Sequence, residues 1–164
     1  METVWITGAS SGIGEACAYR WAEGGASLVL TAPTAEELAP VAAKCREKGA
    51  PDVAILPYDL SHPDGIPALV QSAWEAFGGV DMTYLNAGIS QRTSVEDTSM
   101  EMVRLLMEID YFAPAAIAKE LLPRMVARGG GHIGVTTSIA GKFGFPLRCG
   151  YCSAKSALYG FFES

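Results

Sequence analysis

Basic residues are few in this 164-residue chain, and no cluster of them occurs. Twelve lysines and arginines stand against 18 aspartates and glutamates, which gives a formal net charge of −6. Without a basic run or stripe the chain has little to neutralise a phosphate backbone, so we expect no nucleic-acid partner. No apolar run approaches the ~18–20 residues of a membrane span, so we expect no membrane partner either.

Cysteine and histidine are also scarce, with four and two residues respectively. No basic segment precedes the first strand-like residues, as a secretory signal would require, so the sequence predicts a cytoplasmic protein. In that compartment the cysteines are expected to be thiols rather than disulfides. His62 and His132 are isolated, and no ligand spacing predicts a metal site.

Hydrophobic residues are abundant and make up 49% of the chain, whereas charged residues make up 18%. That balance is typical of a globular protein, and the length fits one domain over residues 1–164. Short apolar runs, predicted as strands, alternate with helix-patterned segments. The strands are predicted at 4–7, 27–31, 53–57, 81–85 and 133–137, and the helices at 13–23, 34–48, 66–77, 100–128 and from Tyr151 onward. This alternation predicts an α/β fold, a doubly wound parallel sheet with helices on both faces. Pro114 predicts an irregularity in the long helix.

A glycine-rich segment, Thr7-Gly-Ala-Ser-Ser-Gly-Ile-Gly14, separates the first strand from the first helix. Three glycines by themselves are a weak signal, because a flexible turn without a ligand can contain them too. Their place between a strand and a helix favours dinucleotide binding, because the backbone can approach a pyrophosphate at a helix N-terminus. No Gly-Lys-Ser/Thr follows, which argues against a P-loop NTPase.

The spacing T-G-x-x-x-G-x-G resembles the fingerprint of the short-chain dehydrogenase/reductase family. The resemblance continues in order along nearly the whole chain. It includes Asp59-Leu60 after the third strand, Leu85-Asn-Ala-Gly88 for the family's N-N-A-G, Thr137-Ser-Ile-Ala-Gly141 for its S-S-x-A-G, and Tyr151-x-x-x-Lys155. It implies cofactor contacts from Gly8, Ser10, Ser11, Gly12, Ile13, Gly14, Asp59, Leu60, Asn86, Ala87, Gly88, Tyr151 and Lys155.

The same resemblance implies catalytic roles for Ser138, Tyr151 and Lys155. Tyr151 and Lys155 share a helix face, and a nearby ammonium favours the phenolate of a group that is otherwise a weak base at neutral pH. Tyr151 would exchange a proton with the substrate oxygen, and Ser138 would donate a hydrogen bond to that oxygen. Lys155 would also hold the nicotinamide ribose.

Asp110 stands where the family usually has Asn. The resemblance implies a relay role, largely through the main-chain carbonyl, which Asp also presents. A carboxylate near Lys155 would alter the charge balance there. The alternative is an ordinary acidic residue on a helix.

The segment Cys149-Gly-Tyr-Cys152 has a second interpretation, because C-x-x-C near βαβ units is typical of thioredoxin-like redox centres. Such a pair normally comes early in its domain, whereas this one follows five predicted strands. We therefore interpret the cysteines as neighbours of the Tyr151 chemistry. They remain able to oxidise.

Cofactor choice depends on the end of the second strand, where an acid would bind the ribose 2′-hydroxyl and exclude a 2′-phosphate. Ala32-Pro33-Thr34 carries no acid, and Glu37 is explained by a helix capping box with Thr34. The family's basic residues for NADP are missing here too. The uncharged pocket favours NADP(H) over NAD(H).

The predicted function is NAD(P)-dependent interconversion of a carbonyl compound and an alcohol, acting on a small-molecule substrate. The family's last strands and substrate lid have no counterpart in this chain, so the alternative is an incomplete dinucleotide-binding module with little turnover. The resemblance implies a homodimer or homotetramer. The loop at Gln91–Thr93 is predicted either to touch substrate or to be an ordinary polar loop, and Phe143–Leu147 to form an apolar substrate wall.

Overall fold

The computed structural model describes residues 2–164 and contains a five-stranded, fully parallel sheet. Its strands are β1 (Thr3–Thr7), β2 (Ser27–Thr31), β3 (Val53–Ile55), β4 (Met82–Leu85) and β5 (His132–Val135). Across the sheet the order is β3-β2-β1-β4-β5. The chain therefore moves outward from β1 in one direction and then in the other, which places a switch point between β1 and β4. The predicted doubly wound fold is confirmed.

Helices cover both faces of the sheet. They are α1 (Gly12–Glu23), α2 (Ala35–Glu47), α3 (Ile66–Glu75), α4 (Met100–Met107), α5 (Ala113–Arg128) and α6 (Cys149–Phe162). Side chains of β1 alternate between the faces: Val4 and Ile6 pack in the cluster that contains Leu38 of α2. Trp5 between them packs on the opposite face with Ile117 of α5. All five side chains are fully buried, so the sheet core is double-sided.

The predicted long helix is interrupted by a π-helical segment, Glu108–Phe112, between α4 and α5. Pro114 has no N–H and its ring would clash with the carbonyl four residues earlier, that of Asp110. The chain widens instead, and the Ala113 N–H donates to the carbonyl of Glu108, five residues back. The predicted irregularity is confirmed, and it begins before the proline rather than at it.

Other element boundaries differ from the prediction by one or two residues. β3 ends at Ile55 rather than 57, β5 begins at His132, and α6 begins at Cys149, two residues before Tyr151. The predicted capping box at the start of α2 is present, with Thr34 and Glu37 exchanging backbone-to-side-chain hydrogen bonds of 3.2 and 3.3 Å. Across residues 2–164, no helix combines the length and apolar character needed to cross a bilayer. Nor, in the same part of the chain, do three or more His, Cys, Asp or Glu residues group as they would around a metal ion.

Candidate active site

A cleft of about 560 Å³ opens at the carboxyl ends of β1 and β4, at the switch point of the sheet. The glycine-rich turn and Asp59-Leu60 line one part of it. Asp110, Tyr151 and Lys155 line another part. Of the predicted site residues, Gly14 and Ser138 are the two absent from its lining. Residues the sequence did not indicate also border it, among them Ile89, Ser90 and Thr136.

The glycine-rich turn depends on glycine at two close approaches. Gly8 has φ +65°, and a Cβ there would lie 2.7 Å from the Cα of Ala87. A Cβ on Gly14 would lie 2.1 Å from the carbonyl oxygen of Gly8. A side chain at either position would force the turn away from the sheet edge, so both glycines shape the cleft even though Gly14 does not line it.

The same turn fits a pyrophosphate. Ser11 precedes α1 without capping it through its side chain, which leaves the first-turn N–H groups to attract an anion. Gly12 has φ +57°, and a Cβ added to it would meet no atom within 4 Å, so no neighbouring residue crowds the backbone there. A dinucleotide's phosphates are the natural complement of this arrangement.

Asn86 joins three strand ends beneath the cleft. Its Nδ2 donates to the carbonyls of Thr7 and Gly8, each at 3.4 Å, and its Oδ1 accepts from Thr136 Oγ1 at 2.9 Å. Thr7 Oγ1 in turn accepts the backbone N–H groups of Asn86 and Ala87 at 3.1 and 3.2 Å. These bonds fix the spacing of β1, β4 and the segment after β5.

Asp59 lies at the glycine-turn end of the cleft. Its Oδ1 accepts the Ser61 backbone N–H at 2.9 Å, and hydrogen bonds from Ser61 hold the pKa of Asp59 below its ordinary value. The carboxylate is therefore ionised and oriented, as a hydrogen-bond acceptor for a ligand's amino group must be.

Lys155 and Asp110 meet beneath the other part of the cleft. Lys155 Nζ donates to the Thr136 carbonyl at 3.1 Å and lies 3.4 Å from Asp110 Oδ2. Asp110 Oδ1 accepts the Ile89 N–H at 2.8 Å. Burial raises the pKa of Asp110, although the Lys155 ammonium and the Ile89 N–H act in the opposite direction. Lys155 is therefore not an isolated ammonium, because a carboxylate lies against it.

Tyr151 stands one turn before Lys155 on α6, and the Lys155 ammonium lies 5.6 Å from the centroid of its ring. The guanidinium carbon of Arg148 lies at 5.9 Å from the same centroid. Two cationic side chains therefore lie near the ring of Tyr151. The nearer one, Lys155, has Asp110 as its counter-ion.

Ser138 precedes a single 3-10 turn, Ile139–Gly141, and its Oγ accepts the Ala140 N–H at 3.1 Å. That bond occupies a lone pair of the hydroxyl and leaves its proton free to be donated. Ser138 itself is not among the residues that line the cleft, although Thr136, two positions earlier, is.

The four cysteines are free thiols. Cys152 Sγ accepts the Phe145 N–H at 3.3 Å, and Cys149 Sγ accepts from Gln91 Nε2 at 3.6 Å. Gln91 itself is only 7% exposed, which the interpretation of its segment as an ordinary polar loop did not anticipate. Both thiols serve as acceptors for the segments that surround the start of α6.

The parallel sheet, its glycine-rich first turn and the cleft at its switch point define a dinucleotide-binding α/β fold of the Rossmann type. The chain belongs to the short-chain dehydrogenase family, whose model matches residues 2–164. This confirms the family resemblance deduced from the motifs.

Related proteins in other organisms align with nearly the whole chain. Dehydrogenase/reductase SDR family member 7 of Homo sapiens is 41% identical over 163 residues, which is 98% of this chain and 48% of that protein. Dehydrogenase/reductase SDR family protein 7-like of Drosophila melanogaster is 37% identical, over 99% of this chain and 51% of its own length. The chain thus spans about half the length of the curated relatives it matches.

Solved structures agree with this assignment. An alcohol dehydrogenase from the archaeon Thermococcus sibiricus, crystallised with 5-hydroxy-NADP, superposes with a TM-score of 0.90 at 31% identity. The match covers 98% of this chain and 68% of the other. A structure from Sinorhizobium meliloti 1021 superposes with a TM-score of 0.92 at 28% identity, covering 97% and 63%.

Proposed function

We propose that residues 1–164 form the NAD(P)-binding domain of an oxidoreductase that interconverts a carbonyl compound and an alcohol. The observation that carries this proposal is the single cleft shared by the glycine-rich turn and by Tyr151, Lys155 and Asp110. One part of that cleft suits a dinucleotide phosphate, and the other presents a phenol beside an ammonium. Family membership supports the same reaction class.

The nicotinamide cofactor, when bound, supplies or accepts the hydride. Tyr151 donates its phenolic proton to the carbonyl oxygen during reduction and takes it back from the alcohol during oxidation. The Ser138 hydroxyl donates a hydrogen bond to the same oxygen, for which its own proton is free. Lys155 would hold the ribose hydroxyls of the bound cofactor.

Asp110 has a different role in this proposal from that of the family's Asn. Its carboxylate, rather than its main-chain carbonyl alone, faces Lys155, and the Ile89 N–H orients it. Asp110 therefore balances the charge of Lys155 and so tunes how strongly that ammonium acts on Tyr151.

For the cofactor we propose NADP(H) in preference to NAD(H). Ala32 and Pro33 line the cleft after β2 and bring no acid to it. Glu37 also borders the cleft, but its carboxylate accepts the Thr34 N–H within the capping box. Binding titrations monitored by nucleotide fluorescence should give a lower Kd for NADPH than for NADH, and a preference for NADH would overturn this choice.

The partners we propose are a small carbonyl or alcohol substrate and a second copy of the chain, as a homodimer or homotetramer. A panel of ketones and aldehydes, tested for NADPH consumption with the purified chain, examines the function directly. Turnover supports the proposed oxidoreductase. Tight cofactor binding without turnover on any substrate instead supports the alternative, a dinucleotide-binding module, and absence of cofactor binding contradicts both.

A further inference from the structure

The N-terminus of α6, which carries Tyr151, lacks a cap from its own sequence. Arg148 occupies the N-cap position and makes no side-chain cap hydrogen bond, as expected for a side chain with donors only. The first intrahelical bond runs from the Cys152 N–H to the Arg148 carbonyl. The backbone N–H of Tyr151, one residue earlier, therefore needs an acceptor from outside the helix.

Gln91 supplies that acceptor from a distant loop. Its Oε1 accepts the Tyr151 backbone N–H at 3.3 Å, and its Nε2 donates to Cys149 Sγ at 3.6 Å. The amide orientation follows from chemistry, because the Tyr151 N–H can only donate and must face the oxygen. The residue is buried, so water competes little for either bond.

Neighbouring contacts hold the loop that presents Gln91. The Thr93 N–H donates to the Leu147 carbonyl at 3.1 Å, and Arg148 hydrogen-bonds Ser90. Leu147 has φ +65°, a left-handed conformation that is costly for a side chain of this size and is maintained where surrounding contacts fix it. At its other end the loop reaches the buried ion pair, through the Ile89 N–H and Asp110 Oδ1.

We propose that Gln91 is a positioning residue, which fixes the start of α6 and hence the place of Tyr151 in the cleft. The effect on catalysis rests on the proposed function, whereas the hydrogen bond that fixes the start of α6 does not. A phenol that exchanges a proton with substrate must sit within hydrogen-bond reach of it, and small misplacements cost large factors in rate. Gln91 is not among the residues that line the cleft. Its effect should therefore fall on kcat rather than on cofactor affinity.

Three substitutions separate the roles of the Gln91 side chain. Gln91→Met keeps its length and removes the acceptor, Gln91→Asn keeps the amide but shortens its reach, and Gln91→Glu keeps an acceptor oxygen. Gln71→Met is the matched control, because Gln71 is an exposed residue of α3 that bonds Glu75 and Arg124. Circular dichroism identifies any variant that fails to fold, and Gln91→Asn is the milder change should Gln91→Met do so.

The first measurement is hydrogen exchange of the Tyr151 amide by NMR, which needs no turnover. In Gln91→Met and Gln91→Asn we expect exchange at least about tenfold faster, with Gln91→Glu close to wild type and the Leu158 amide unchanged in all. The second is steady-state kinetics. There we expect kcat to be lower by about 10- to 100-fold in Gln91→Met and Gln91→Asn and to be close to wild type in Gln91→Glu, with an unchanged Kd for the cofactor.

Unchanged exchange of the Tyr151 amide in both Gln91→Met and Gln91→Asn would overturn the proposal. An equal loss of kcat in Gln91→Met, Gln91→Asn and Gln91→Glu would also overturn it. If wild type shows no turnover, the proposed oxidoreductase function fails, while the exchange data still decide whether Gln91 holds Tyr151. Faster exchange with unchanged kcat in an active enzyme would contradict the catalytic part alone.

Discussion

Lys155 Nζ lies 3.4 Å from Asp110 Oδ2, and the two side chains are 4% and 0% exposed. A buried pair of this kind is strongly sensitive to the loss of one partner, because the other charge is left in a poorly solvated site. The proposed acid–base chemistry of Tyr151 thus operates next to a balanced pair. Its pH dependence should report on that balance.

Asp110→Asn is expected to change the pH dependence of stability. Burial raises the pKa of Asp110, so the folded state keeps the proton to a higher pH than the unfolded chain does. The stability that this group contributes is thus present below the ordinary carboxyl pKa and is lost as pH rises through the folded-state value. Asn has no such proton, so the stability of the variant relative to wild type should rise with pH above the ordinary carboxyl pKa. Urea unfolding at several pH values measures this, and a relative stability that falls with pH would contradict it.

The same variant should shift the pH–rate profile. Without the carboxylate, the Lys155 ammonium loses its counter-charge beside the proposed acid–base site, so the dependence of alcohol oxidation on pH should differ from that of wild type. Asp97→Asn is the control, since that exposed carboxylate bonds Ser94 in the loop away from Lys155. A profile identical to wild type would show that Asp110 does not tune the site.

Gly88→Ala should disturb the ion pair sterically. A Cβ there would lie 3.0 Å from Asp110 Oδ2 and 3.3 Å from Lys155 Nζ, tighter than ordinary contact. We expect a loss of about 1–3 kcal/mol in the free energy of unfolding, together with lower activity. Gly144→Ala serves as the control, because nothing lies within 4 Å of its Cβ position. Equal stability of the two variants would mean that the pair accommodates the methyl group.

Gly14→Ala tests the cofactor cradle. Its Cβ would lie 2.1 Å from the Gly8 carbonyl oxygen, so the turn must move and the Kd for NADPH should rise by at least about tenfold. Gly160→Ala is another helical substitution, with open space at the Cβ, and should raise the free energy of unfolding by about 0.5–1 kcal/mol without affecting Kd. Unchanged nucleotide binding in Gly14→Ala would contradict the assignment of this turn.

Cysteine labelling tests the packing beneath α2. Burial raises the pKa of the Cys45 thiol to about 11, and the side chain is fully buried. At pH 8 about one Cys45 in a thousand would be a thiolate, so iodoacetamide should modify it far more slowly than the partly exposed Cys17. Peptide mass spectrometry gives both rates, and in urea they should converge. Equal rates in the folded protein would contradict the buried position.

Much of the fold was predictable because its signals are local. Consecutive apolar residues such as Val4 and Trp5 indicate a strand that is buried on both faces of the sheet. Thr34 with Glu37 indicates the start of α2. The π-helical segment was not predictable beyond the irregularity that Pro114 implies. Its hydrogen bonds reach five residues back, and no residue pattern distinguishes them from α-helical bonds.

The candidate site was predictable where a motif encodes backbone geometry and much less where side chains meet across the fold. The glycine spacing indicated the turn at residues 7–14, but not that Gly8 lies close to Ala87. Asp110 was expected to act largely through its main-chain carbonyl, with a carboxylate near Lys155 as a further influence. The sequence could not give the 3.4 Å distance between Asp110 Oδ2 and Lys155 Nζ. Gln91 gave only the signal of a polar residue after a strand, since its partner Tyr151 lies 60 positions later.

The central claim is that Tyr151 exchanges the proton with substrate. The most direct test compares Tyr151→Phe with wild type and with Tyr19→Phe, whose hydroxyl bonds Glu15 on α1. The measurements are the Kd for NADPH and kcat on an accepted carbonyl substrate. We predict that both variants still bind NADPH and that kcat is at least about 100-fold lower in Tyr151→Phe alone. A Tyr151→Phe enzyme that retains wild-type kcat would contradict the account.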